Sequence, residues 1–304
     1  MGQCASISCN FSSYEKTIFE DDGPPFRFIN GRRFHNDENS KYVYPNDEEE
    51  IGRLELQYWL IKEVWKSIYS APITPNLIAD GRVLDIGCGP GTWILDLATE
   101  FKSTIFIGLD ISKSFPQNVK PRNAAFIQYN VLNGLPFSND TFDFVHQSIL
   151  SAAFTVVQWS QVLAEIVRVL KPGGWIEFME YDYVIHREGP ITQRLNSSLL
   201  SFFKSQGINP IISDLLPELL SSSPLLTDIQ YDQRPLFLGQ WAGNLGALAV
   251  EIFGVEITAL KEYIQPLMGI TDEHFAALKE GFVSEVNRNK SFIKTFRYFC
   301  RKVA

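Results

Sequence analysis

Asp85 and the alternating glycines Gly87, Gly89 and Gly91 follow the apolar pair Val83-Leu84 and precede Thr92-Trp93, where a helical pattern begins. This order predicts a strand, a tight turn and a helix start. Glycine removes the Cβ atoms that would hold a ligand away from the backbone, and the first N–H groups of a helix have no partner within it. A polar ligand group can therefore settle against the turn, within reach of the Cys88 backbone. Asp85 adds a negative charge at the strand's C-terminal end, where ligands of open α/β sheets sit. That charge repels a nucleotide pyrophosphate and attracts an aminoacyl group bearing an ammonium. A dinucleotide fingerprint would also call for a small residue at position 92, a demand that Thr92 meets only weakly. The alternative is a glycine-rich strand-to-helix turn with no ligand.

A second acid has matching spacing. Thr104-Ile105-Phe106-Ile107-Gly108-Leu109-Asp110 reads as a buried strand ending in Asp110, 19 residues after Gly91. That distance accommodates one helix and a neighbouring parallel strand, so Asp110 can accept both hydroxyls of a ribose, with Ile111 beside it. Trp93, Ile94, Leu97, Ala98 and Phe101 recur at helical spacing and are read as core, packing the helix onto the sheet. Ala125 to Val131 supplies a third strand. Asn130 at its end could bond an adenine amino group with Val131 beneath the ring, or Asn130 and Asn133 could serve as turn formers before Gly134.

The segments Leu135-Pro136-Phe137-Ser138-Asn139-Asp140-Thr141-Phe142-Asp143-Phe144-Val145 and Val169-Leu170-Lys171-Pro172-Gly173-Gly174-Trp175 complete an ordered set. Trp159, Val162, Leu163, Ile166 and Leu170 mark the helix between them. Together these motifs resemble the class I S-adenosylmethionine-dependent methyltransferases. The resemblance implies an α/β fold, a Rossmann-like seven-stranded sheet flanked by helices. Its strands are parallel except for an antiparallel strand seven inserted between five and six. It also implies S-adenosylmethionine as cofactor, with Gln147 at the end of strand four among its contacts. Gly173 is expected to take a left-handed cap after the preceding helix.

A narrower likeness begins earlier. Tyr42-Val43-Tyr44-Pro45-Asn46-Asp47-Glu48-Glu49-Glu50-Ile51-Gly52-Arg53-Leu54-Glu55-Leu56-Gln57 is similar to the leading segment of the LaeA-like methyltransferases, a fungal family of secondary-metabolism and regulatory enzymes. Asn46 or Asp47 caps a helix with an acidic first turn, and Ile51, Leu54, Tyr58, Ile61, Trp65 and Ile68 form its apolar stripe. Arg53 and Gln57 lie four apart on one flank, so both can reach one site. The resemblance implies that this helix and Tyr42 cover the cofactor, with Gln57 or Arg53 near its carboxylate. A solvated arginine beside a surface glutamine is the alternative. Relatives often carry histidine after this glutamine, whereas Tyr58 stands here, so an acid/base role tied to that histidine does not transfer.

The 304 residues, 45% hydrophobic, suffice for one elaborated catalytic domain. Residues 1–40 are polar and acidic and are expected to form a flexible tail. Residues 41–75 should supply a cap helix, 80–182 the cofactor-binding core, 183–291 substrate-side helices with strand six at Leu226 to Leu238, and 292–304 strand seven. Helices over the strand ends could wall off a substrate pocket containing Trp241, or close the domain with Trp241 in their core.

A net charge of −8 opposes an extended nucleic-acid surface. There is no run of 18 uninterrupted apolar residues and no hydrophobic secretory signal. Cys4, Cys9, Cys88 and Cys300 show no zinc spacing and the four histidines are scattered, so neither a metal site nor a disulfide framework is expected. These features point to a cytoplasmic protein, with nothing barring entry to the nucleus. Met1-Gly2-Gln3-Cys4-Ala5-Ser6 fits N-myristoylation at Gly2, and palmitoylation of Cys4 would make membrane attachment stable.

No catalytic base is assigned. His146 at the end of strand four reads as a structural residue, Glu180, Tyr181 and Asp182 end strand five, and His186 lies beyond it. The expected activity is methyl transfer to a small-molecule or protein acceptor. The alternative is a regulatory protein that binds the cofactor without transferring a methyl group. A nicotinamide-dependent oxidoreductase would leave Asp85 and the Lys171-Pro172-Gly173-Gly174 turn without a purpose.

Overall fold

The computed structural model describes residues 26–36 and 40–304. Gly2 and Cys4, the expected acylation sites, lie outside these residues. The chain opens with a hairpin of β1 (Phe26–Ile29) and β2 (Arg32–His35), joined by Asn30 and Gly31, both at positive φ as a tight hairpin turn requires. Arg32 binds Asp47 (Nε to Oδ2, 2.6 Å), and Arg33 donates to the Asn46 carbonyl at 2.6 Å. A flexible tail was expected through residue 40, but Phe26 to His35 form a hairpin tethered to the following helix.

That helix is α1 (Glu48–Trp65), with Asp47 accepting the Glu50 N–H and three glutamates in the first turn. Its buried residues are Glu50, Arg53, Gln57, Leu60, Ile61 and Trp65, so of the predicted apolar stripe only Ile61 and Trp65 are buried. Ile51, Leu54 and Tyr58 instead line a cavity, so the stripe faces open space while a polar flank is buried.

After the short α2 (Thr74–Ile78) the chain alternates β3 (Arg82–Ile86), α3 (Thr92–Glu100), β4 (Ile105–Asp110), β5 (Ala124–Gln128), β6 (Phe142–Ser148), α4 (Val156–Val169) and β7 (Leu170–Tyr181). Then follow α5 (Pro190–Ser205), α6 (Ile212–Ser222), β8 (Leu226–Phe237), α7 (Gly243–Ala259), α8 (Lys261–Met268), α9 (Asp272–Asn289) and β9 (Phe292–Lys302). The seven-stranded sheet runs β5-β4-β3-β6-β7-β9-β8, with β9 antiparallel to both neighbours. This is the Rossmann-like sheet expected, the reversed strand lying between the fifth and sixth.

Side chains alternate across the strands, so each face has its own core. Leu84, Ile86, Ile107, Val145, Ile176 and Phe178 pack beneath α4 and α6, and Thr155 starts α4 with a capping box to Gln158. Val83, Phe106, Phe144 and Phe299 pack with α3 on the opposite face. A third cluster joins α1 to the added helices α5, α7, α8 and α9. The segment Gln240–Ala259 has a mean hydropathy of 1.3 and is long enough to cross a membrane, yet half of it is buried within the protein. Packed on α1 and β8, it is a core helix here.

Gly173 has φ of +76°, the left-handed conformation expected. It lies inside β7, where pairing with β6 shifts register between Phe142 and Phe144, instead of capping a helix. The strand resumes at once after the glycines, and Gly174 sits close to Leu170 and the Asp143 carbonyl, where a side chain would collide.

Candidate functional site

The C-terminal ends of β3, β4, β5 and β6 and the underside of α1 enclose one large cavity. The turn after β3 forms its floor. Gly87 and Cys88 donate to the Leu109 carbonyl at 2.7 and 3.1 Å, drawing the turn onto β4. Gly87, at φ +67°, has the Leu150 side chain where a Cβ would stand, 2.5 Å away, so the β3 and β6 loops interlock only with glycine there. Gly89 donates its N–H to Asp110 Oδ2 at 2.8 Å, and Ser112 donates to Oδ1 at 2.7 Å.

Burial raises the Asp110 carboxyl to about 6, against the opposing effect of those two backbone bonds. Each oxygen retains lone-pair capacity, so an ionised Asp110 can also accept a vicinal diol. Its folded value lies above the ordinary 3.8, so its contribution to stability is present below that value and lost as pH rises through about 6. Binding of a diol ligand runs in the opposite sense. Affinity for S-adenosylhomocysteine should fall by up to about tenfold per pH unit below the Asp110 transition. Calorimetry between pH 7.5 and 5 checks this, and a flat profile contradicts it.

Asp85, 3% exposed, meets His146 Nδ1 at 2.7 Å, and the His146 ring stacks on Trp93 with 4.0 Å between centroids. Burial raises the Asp85 carboxyl and the histidine opposes that shift. Asp85, Gly87, Cys88, Gly89, Asp110 and Ile111, the residues expected to contact a cofactor, all line the cavity. At the far end Asn130 and Val131 line it too. Asn130 Oδ1 accepts the Leu132 N–H at 3.0 Å, so the asparagine both faces the cavity and caps a turn.

Above the turn, the Leu54 side chain approaches Gly89, and Gln57 and Tyr42 complete the roof. Tyr58 and Lys62 also line it, and both reach Asp96 of α3 at 2.5 Å, fastening α1 to the sheet layer.

Three expectations are corrected. Arg53 does not line the cavity: it grips Glu50 through two bonds of 2.9 and 2.6 Å and lies against Tyr44, because its side of α1 packs toward α7. Gln147 points to the opposite face of the sheet, as strand alternation after His146 requires, and is fully buried outside the cavity. Gly91 takes φ of +77° at the start of α3, and a Cβ there would stand 2.5 Å from the Phe126 ring. It shapes the turn without lining the cavity. Trp241 is also absent from the lining and bonds the Leu238 carbonyl at 2.8 Å. Glu180 holds the Leu150 and Ser151 N–H groups, and burial raises it to about 8.

Among the lining residues that were not anticipated are Trp93, Met179 and Arg297. Trp93 was assigned to the core from its helical spacing, yet one side of its ring meets the cavity. Met179 was hidden in an apolar strand. Arg297, 2% exposed, bonds Ser67 and lies 3.6 Å from Glu177. Its signal in the sequence was a cation flanked by apolar and aromatic residues within β9.

The sheet order, the reversed β9 and the acid-flanked glycine turn define a Rossmann-like sheet with a cavity at its strand ends. Residues 83–174 match the family model described as a methyltransferase domain. The chain is 29% identical over half its length to the secondary metabolism regulator LAE1 of Cochliobolus heterostrophus, covering 50% of that protein. It is 30% identical over 52% of its length to the protein-methionine methyltransferase laeA of Emericella nidulans, covering 41% of it. It is 33% identical over 47% of its length to the N-methyltransferase verN of Clonostachys rogersoniana, covering 52% of it. The chain thus spans about half the length of the relatives it matches.

Proposed function

We propose that the chain is an S-adenosylmethionine-dependent methyltransferase acting on a protein side chain or a small molecule. The observation that carries this reading is the pairing of two acids, buried Asp85 and partly buried Asp110, on adjacent strand ends around one glycine turn inside a single cavity. The residues fit the cofactor's chemistry. Asp110 would accept the ribose hydroxyls with Ile111 beside it. Asn130 and Val131 would meet the adenine, and Asp85 the ammonium. The backbone of Gly87, Cys88 and Gly89 would lie along the chain between them. Gln57 and Tyr42 would close over it.

When bound, the cofactor supplies an electrophilic methyl group on a sulfonium with a neutral leaving group. The protein's part is then mainly positional. Orienting the acceptor in line can lower the barrier by roughly 7 to 11 kcal/mol. The α1 roof excludes water, and the turn at Ile149, which donates its N–H to the Met179 carbonyl at 2.8 Å, shapes the cavity wall on the β6 side. Glu180, Tyr181 and Asp182 stay outside the cavity, so no base is assigned. The names of two relatives supply both acceptor classes, a protein methionine and a nitrogen.

Incubating the enzyme with isotopically labelled S-adenosylmethionine and protein or metabolite extracts, followed by mass spectrometry, tests this. A labelled product supports methyl transfer. Cofactor binding without any labelled product favours the regulatory alternative.

A further inference from the structure

His146 stands on the cavity wall, 2% exposed, its ring flat against Trp93 and its Nδ1 held by Asp85 at 2.7 Å. An ionised carboxylate accepts and cannot donate, so this bond takes the Nδ1 hydrogen, and in the tautomer it favours Nε2 is the acceptor. Among the described residues the only hydrogen bond of the ring is the one at Nδ1. The neighbouring polar groups are largely committed elsewhere, with Arg297 Nε and Glu177 Oε1 facing each other at 3.6 Å without a hydrogen bond. Arg297 of β9 donates to Ser67 and Ser70, Glu177 of β7 accepts the Ser70 and Ala71 N–H groups, and Lys62 and Tyr58 of α1 are held by Asp96. An acceptor that lines the cavity beside a buried carboxylate suits a ligand group carrying several donors.

We propose that His146 Nε2 and the second oxygen of Asp85 together accept the ammonium group at the amino-acid end of the methyl donor, an assignment that rests on the cofactor reading above. The ammonium has three N–H donors and the two strands offer acceptors side by side. Asp85 supplies the charge. His146 supplies direction, and through Nδ1 it fixes which carboxylate oxygen remains available.

The test compares two ligands by calorimetry on the full chain: S-adenosylhomocysteine, and 5′-methylthioadenosine, which lacks the amino-acid end. His146→Phe keeps an aromatic ring on Trp93 without an acceptor. It should weaken S-adenosylhomocysteine by about 10- to 100-fold and leave 5′-methylthioadenosine within about twofold. His146→Asn keeps an N–H for Asp85 but has no acceptor at the Nε2 position. It should show the same selective loss, and it decides the matter if thermal melting shows that the phenylalanine variant is not folded. Equal weakening of both ligands, or of neither, overturns the proposal while the cofactor reading stands. A folded wild-type chain that binds neither ligand overturns both.

Discussion

Replacing Asp110 with alanine is expected to weaken S-adenosylhomocysteine binding by about 1 to 3 kcal/mol, or roughly 5- to 150-fold. The carboxylate sits at the end of β4 with both oxygens anchored by backbone N–H groups, of Gly89 at 2.8 Å and Ser112 at 2.7 Å. It is therefore fixed before a ligand arrives, and hydrogen bonds from ribose hydroxyls to it are charge-assisted. Removing it also frees the Gly89 N–H, so a modest loss of stability should accompany the loss of affinity. Calorimetry with a parallel thermal melt separates the two effects. Unchanged affinity in a folded variant would contradict the ribose assignment.

Trp65→Ala should destabilise the fold by about 3 to 5 kcal/mol. Trp65 ends α1 and is 2% exposed. Its indole N–H reaches Thr295 Oγ1 at 3.1 Å, and the guanidinium carbons of Arg297 and Arg234 lie 4.6 and 5.0 Å from its ring centroid. The side chain therefore joins the cavity roof to β9 through burial, a hydrogen bond and two cation–π contacts, and its loss leaves a large void between layers. Urea unfolding measures the change directly. A cost below about 1 kcal/mol would mean that α1 is not docked through this residue.

Much of this arrangement was legible because it is local. The runs ending at Asp85 and Asp110 are continuous and apolar, and parallel strands buried on both faces have that pattern. Phe292 to Val303 was read as a strand and is one from Phe292 to Lys302. The α1 stripe was misread for a physical reason. Ile51, Leu54 and Tyr58 repeat at helical spacing whether they face a core or a ligand cavity, and periodicity alone does not separate the two. Arg53 and Glu50 lie three apart, a pairing the sequence permits. Their burial depends on Tyr44 and on α7, which follows nearly two hundred residues later. Trp93 and Arg297 were missed for a similar reason. The partner of Trp93 is His146 on β6, some fifty residues later, and Arg297 meets a cavity built mostly from the first half of the chain. Gln147 was placed by likeness to other proteins, although alternation along β6 puts it and His146 on opposite faces.

The most direct test is titration of the purified full-length chain with S-adenosylmethionine and S-adenosylhomocysteine. Saturable binding of both at one site per chain, weakened by Asp110→Ala, is the predicted result. A folded chain giving no heat with either ligand would contradict the central claim.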